Sequence, residues 1–139
     1  MVGWFPVRLL PPLRYSHPNF FVVYAATAFF HLVFGLMHWL EPGRFAGPVY
    51  ELCYWVMPVK AWGTASVLVW LLMTLGVFWS FTYARIGLAV GFFLTLSRGL
   101  LIEMADPEAI GAGLLAWGLI AMQHLSQLRE PPANPLSAR

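Results

Sequence analysis

An arginine stands inside an otherwise apolar run, "GLAVGFFLTLSRGLLIEM", residues 87–104. A charge at that depth in a membrane is costly, so Arg98 must either snorkel to the interface or face protein and pair with an acid. The acids within reach are Glu41, Glu51 and Glu103. Glu103 follows at i+5, slightly off the face of Arg98, which makes Glu41 or Glu51 the better partner. An earlier helix adds two histidines. His31 lies on one ridge with Thr27 and Gly35, and His38 follows two turns later. Counting helical rise, His31 is roughly 13 Å and Arg98 roughly 9 Å below the same rim, with His38 only about 3 Å below it. Together His31, His38, Arg98, Glu41, Glu51 and Glu103 compose a candidate outer polar pocket in which an imidazole could carry or relay a proton. The plainer readings are a hydrogen bond across helices for His31 and an interfacial position beside Trp39 for His38.

Haem ligation would need two histidines at matched depth. His124 lies roughly 22 Å from the rim by the same count, against 13 Å for His31, so the spacing argues against a sandwiched iron. The sequence holds no HExxH, P-loop, nucleophile elbow or pair of intramembrane carboxylates. No cofactor, metal or catalytic residue is expected, and the chain reads as non-enzymatic.

Composition sets the class. Of the 139 residues 60% are hydrophobic and only 10% charged, where soluble domains carry about 25% charged residues. Seven tryptophans and an aromatic content of 17% suit interfacial anchoring. A net charge of +2 is too small and scattered for nucleic acid, and the single Cys53 excludes an internal disulfide or CxxC motif. The early prolines, Pro6, Pro11 and Pro12, and the missing small-x-small site argue against a cleaved signal.

Four segments reach the length of about 20 apolar residues that a spanning helix needs, roughly 19–40, 61–81, 83–104 and 109–128. The fold expected is all-α, a polytopic four-helix antiparallel bundle with an interfacial segment between the first two spans. Thr82 to Arg85 supplies a tight turn, and Asp106 a candidate N-cap for the last helix. Residues 1–18 read as a cytoplasmic interfacial arm, 19–128 as the transmembrane domain and 129–139 as a Pro-rich cytoplasmic tail. Arg8, Arg14, Arg85, Arg129 and Arg139 fall on one side, Arg44 and Lys60 on the other, so the positive-inside rule puts both termini in the cytoplasm of a bacterial inner membrane. The connection 41–60 is apolar but broken by proline. It reads as a segment lying in the outer interface, with a re-entrant loop as the alternative.

Membrane helices associate through close packing and polar contacts. Gly87, Gly91, Thr95 and Gly99 recur every four residues along one ridge, and Ala112 and Ala116 form a second small ridge. Packing within the chain is the simpler use, and a homo-oligomer or a larger membrane complex the other.

The stretches "FGLMHWLEPGRF" and "AWGTASVLVWLLMTLGVFWSFTYARIGLAVGFFL", within residues 29–94, resemble DoxX-type four-helix membrane proteins, although His38 stands where that family commonly has a lysine. The resemblance implies an accessory role in a quinone-linked membrane redox system. In composition the chain is also similar to small membrane proteins of bacteriophages, including holins, which implies an oligomeric pore. The leading expectation is a helix-bundle subunit or partner-binding membrane component, with the bilayer itself as a partner.

Overall fold

The computed structural model describes residues 18–79, 81–105 and 112–129. Among the described residues all regular structure is helical. Helix α1 spans Pro18–Leu40, two single-turn 3-10 segments follow at Pro42–Phe45 and Pro48–Tyr50, and a short α2 covers Glu51–Val56. The long helices α3 (Val59–Phe78), α4 (Phe81–Ala105) and α5 (Ala112–Arg129) complete the chain.

Proline places several boundaries. Pro18 opens α1 at the position where its missing N–H costs nothing. Pro42 and Pro48 open the 3-10 turns, and Pro58 caps α3 from an extended conformation. The second connection falls earlier than its sequence suggests. Helix α3 stops at Phe78, with the Trp79 N–H donating to Leu75 O at 2.8 Å, and α4 begins at Phe81. Thr82 to Arg85 is therefore the start of α4 and not a turn. That stretch has neither Gly nor Pro, and polarity alone does not break a helix. The Asp106 cap, the arm 1–17 and the tail 130–139 lie outside the described residues.

Helices α1, α3, α4 and α5 run antiparallel to their sequence neighbours, with α3 against both α1 and α4, and α4 against α5. Small residues fix the close approaches. A Cβ added to Gly35 would lie 2.8 Å from Gly63 O, and one on Gly76 would lie 2.4 Å from the Cβ of Ala84. Gly87 faces Met73 of α3, and Gly91 faces His124 of α5. The ridge on α4, with Thr95 and Gly99 also buried, is used inside the chain. The second ridge behaves differently: Ala116 is exposed and Gly118 faces open space, while Ala112 stands at the described start of α5. That short ridge contributes no tight helix contact at Ala116, because the inward face of α5 belongs to Trp117, His124 and Gln127.

Two apolar clusters hold the ends. Tyr24, Ala28, Val69, Met73, Ala84 and Leu88 pack at one end, where the Tyr24 hydroxyl donates to Met73 O at 2.6 Å. At the other, Cys53, Trp62 and Ile102 join the 41–58 segment to α3 and α4. This second end is the capped end of the bundle. Large apolar side chains such as Phe29, Phe93 and Leu119 point outward from the helices. Among the described residues three helical stretches, Val22–Leu40, Val59–Phe78 and Thr82–Ala105, are long and apolar enough to cross a membrane. Helix α5 is diluted by Gln123, His124, Ser126 and Gln127.

Candidate functional site: a caged arginine

Five elements near the capped end each contribute an aromatic ring to Arg98. Its Cζ lies 4.6 Å from the ring centroid of Phe34 on α1, 5.5 Å from Phe45, 5.4 Å from Tyr50, 5.4 Å from Trp62 on α3 and 5.1 Å from Trp117 on α5. The side chain is 1% exposed; the Tyr54 hydroxyl lies close to the guanidinium, but Nε, Nη1 and Nη2 make no hydrogen bond of good geometry among the described residues. Aromatic faces attract a guanidinium. They do not replace the directional acceptors that a buried ion ordinarily requires.

This arrangement corrects both sequence expectations for Arg98. It does not snorkel, and among the described residues no acid meets it. Glu41 is exposed and pairs with Arg44 three residues on, and Glu51 is exposed at the start of α2. Glu103 is half-buried with Oε2 unpartnered; at i+5 it points roughly 140° around α4 from Arg98. The acids therefore stay at the rim while the cation goes inside. The expected outer pocket is closed, and its floor is aromatic.

His38 is fully buried, although Trp39 beside it is largely exposed. Its Nδ1 donates to Phe34 O at 2.8 Å, and its ring stacks on Phe45 at 3.9 Å between centroids. The interfacial reading of His38 is thus also corrected. The imidazole supports one wall of the cage and keeps Nε2 as a bare acceptor.

The histidine that sequence spacing sets aside belongs to the site. His31 Nε2 and His124 Nε2 lie 2.8 Å apart. His124 Nδ1 donates to Ile120 O at 2.6 Å, so its Nε2 must accept; His31 Nε2 then donates, and His31 Nδ1 is left as a bare acceptor. The depth count failed because it measured each helix from its own expected end and took those ends as level. Measured from Ala112, His124 lies about 18 Å along α5, and the remaining offset of about one turn is absorbed by the placement of the helices. Gly91 makes the meeting possible, since a Cβ there would lie 2.7 Å from the His124 ring. The two Nε2 atoms bond each other directly, closer together than the roughly 3.3 Å at which a shared tetrahedral metal would hold them. Among the described residues no three His, Cys, Asp or Glu side chains converge as metal ligands.

Further from the cap, Gln123 Nε2 and Gln127 Nε2 both donate to Thr27 Oγ1, at 2.7 and 3.3 Å. An interior polar column thus runs from Gln127 through the histidine pair to Arg98 and His38. Between the pair and Arg98 is a crevice bordered by His31, Ser66, Thr95 and Arg98, with Phe30, Leu94 and Trp117 as apolar walls. It is too narrow to take a water molecule. Ser66 Oγ has no partner there, while Thr95 Oγ1 is occupied by Gly91 O at 2.8 Å.

Removing one imidazole should be worse than removing both. His124→Leu strands the His31 Nε2–H and should cost about 1–3 kcal/mol. The double variant His31→Leu/His124→Leu should recover part of that loss, as read from unfolding titrations in mixed micelles. Strict additivity of the two single losses would count against the hydrogen bond.

The cap carries its own reporter. Cys53 is fully buried, and its carbonyl accepts from Trp62 Nε1 at 2.8 Å. Burial pushes the thiol above its ordinary range, with Arg98 pulling weakly the other way. Burial likewise raises the Tyr54 hydroxyl, again opposed by Arg98. Cys53 should therefore react with maleimide at pH 8 at least tenfold more slowly in the folded protein than after unfolding, because the thiolate is both scarce and covered. Equal rates would show that the cap does not cover it.

Comparison with known protein families, with curated proteins and with solved structures found no match to this chain.

Proposed function

We propose that this chain is a small, non-enzymatic integral membrane protein that holds an electronegative group of a membrane partner or ligand at Arg98. The observation that carries this reading is the unpaired guanidinium at 1% exposure. A buried cation with no well-formed hydrogen bond is a standing cost to the fold, and intramembrane ionisable groups ordinarily serve a function.

In this reading α5 is the fourth span. Its polar residues Gln123, His124 and Gln127 bond inward to α1, so its composition understates how apolar its outer face is. The arginine asymmetry supports an orientation in a bacterial inner membrane with both termini cytoplasmic. A DoxX-like accessory role would make the held group part of a quinone-linked system, and would require co-purification with an oxidoreductase. A holin-like pore would need helices to rearrange around water.

Expression in bacteria with a potential-sensitive dye separates these readings. The binding-bundle reading expects the chain in the membrane fraction with the potential unchanged. A sudden collapse of potential would overturn it in favour of a pore.

A further inference from the structure

We infer that the group held at Arg98 is a carboxylate carried on an apolar body, entering beneath the 42–50 segment at the capped end. The inference rests on the reading above, that this arginine holds an electronegative group, and names the chemistry of that group. Its first support is the guanidinium itself. With the Tyr54 hydroxyl as a close polar neighbour, the planar fork still makes no hydrogen bond of good geometry among the described residues, and two of its N–H groups match the two oxygens of a carboxylate in a bidentate pair. The charge also balances, since among the described residues Arg98 faces no acid and a monoanion leaves that interior neutral.

The walls specify the rest of the ligand. Phe34, Phe45, Tyr50, Trp62 and Trp117 surround the charge, and such a lining favours an alkyl or aryl body over a hydrated inorganic ion. A phosphate dianion would bring a second charge with no second cation among the described interior residues. Ser66 Oγ, unpartnered and on the same crevice, is placed as an auxiliary donor.

The closed crevice dictates the route. Away from the cap, the interior is locked by the histidine pair and the Thr27–Gln123 bond. Toward the cap, Phe45 and Tyr50 sit on two 3-10 turns joined through Ala46 and Gly47. These rings meet the site through side-chain contacts: both lie over Arg98, Phe45 stacks on His38 and is edge-on to Phe34 and Tyr50, and Tyr50 packs on the Cys53–Trp62 cluster. The 42–50 segment is thus the wall that can lift.

The test uses the full chain in nanodiscs of neutral lipid, with tryptophan emission and melting temperature as readouts. The probes are dodecanoate, methyl dodecanoate, acetate and chloride. Dodecanoate should shift both readouts saturably, with acetate binding at least tenfold more weakly and the methyl ester and chloride inert. Arg98→Met should lose the response at least tenfold, and Arg98→Lys should keep a weakened one, which guards against a variant that fails to fold. A saturable response to chloride or acetate as strong as that to dodecanoate would overturn the carboxylate-on-apolar-body inference while leaving Arg98 as a binding group. A dodecanoate response that persists in Arg98→Met would overturn the site, and so would a comparable response to the methyl ester. Silence toward every anion would overturn this inference and the binding role together.

Discussion

Gly76→Ala should cost on the order of 3 kcal/mol and prevent α3 and α4 from packing as they do. The added Cβ would lie 2.4 Å from the Cβ of Ala84, 2.5 Å from its N and 2.6 Å from its Cα. Those atoms are mostly backbone, so no rotamer change relieves the overlap, and two helices joined by a tight turn cannot separate there without opening the apolar cluster around Met73 and Leu88. Overpacking in a well-packed core costs about 1–3 kcal/mol and more where backbone must move. The intrinsic gain of about 1 kcal/mol from Gly to Ala in a helix does not offset this. Gly118→Ala supplies the control, because nothing lies within 4 Å of its Cβ position. That variant should gain up to about 1 kcal/mol. Unfolding titrations on the two variants give the comparison, and equal behaviour would contradict the α3–α4 contact.

Arg98→Met should move stability in the opposite direction, raising it by about 1–3 kcal/mol. Replacing buried ionic groups by apolar residues of similar volume is often stabilising by about 1–4 kcal/mol, since desolvation is no longer opposed by incomplete pairing. The rings around Arg98 return part of that penalty, about 2 kcal/mol for a well-placed desolvated pair. Five rings around one cation do not give five times that value, because they share the same positive charge and leave its N–H groups unbonded. Methionine fills the cage with a long, flexible apolar chain. Arg98→Gln should lie below Arg98→Met, since its amide inherits the missing partners. A chain that is more stable without its arginine retains the arginine for something other than folding. Melting curves in the absence of added ligand check the order Arg98→Met above wild type, with Arg98→Gln below Arg98→Met; a wild type above both would contradict it.

The parts of this architecture that depend on local pattern are legible in the sequence. Apolar run length finds α1, α3, α4 and α5 to within a few residues, and proline marks the ends of the cap. The i, i+4 spacing of Gly87, Gly91, Thr95 and Gly99 locates an inward ridge. What escapes is relational. Gly63 and Gly76 have no spaced glycine partner of their own, because what each approaches, Gly35 and Ala84, lies on a different helix. His124 was misplaced in depth because the levels of helix ends are set by packing, which the sequence does not print. The acids were matched to Arg98 by opposite charge, but near a rim each carboxylate is better solvated outside or takes a local partner, as Glu41 takes Arg44. The cage itself is spread over five elements, and only Arg98 as an anomaly within an apolar run announces it.

Arg98 is buried among aromatic faces and, among the described residues, bonded to no acid. Nitrogen-15 spectra of arginine-labelled protein in micelles test this most directly, with Arg98→Gln assigning the signal. One Nε–H resonance should be displaced upfield by ring currents and exchange far more slowly than those of the other arginines. An Arg98 resonance with fast exchange and an ordinary shift would place the guanidinium at the interface and contradict it.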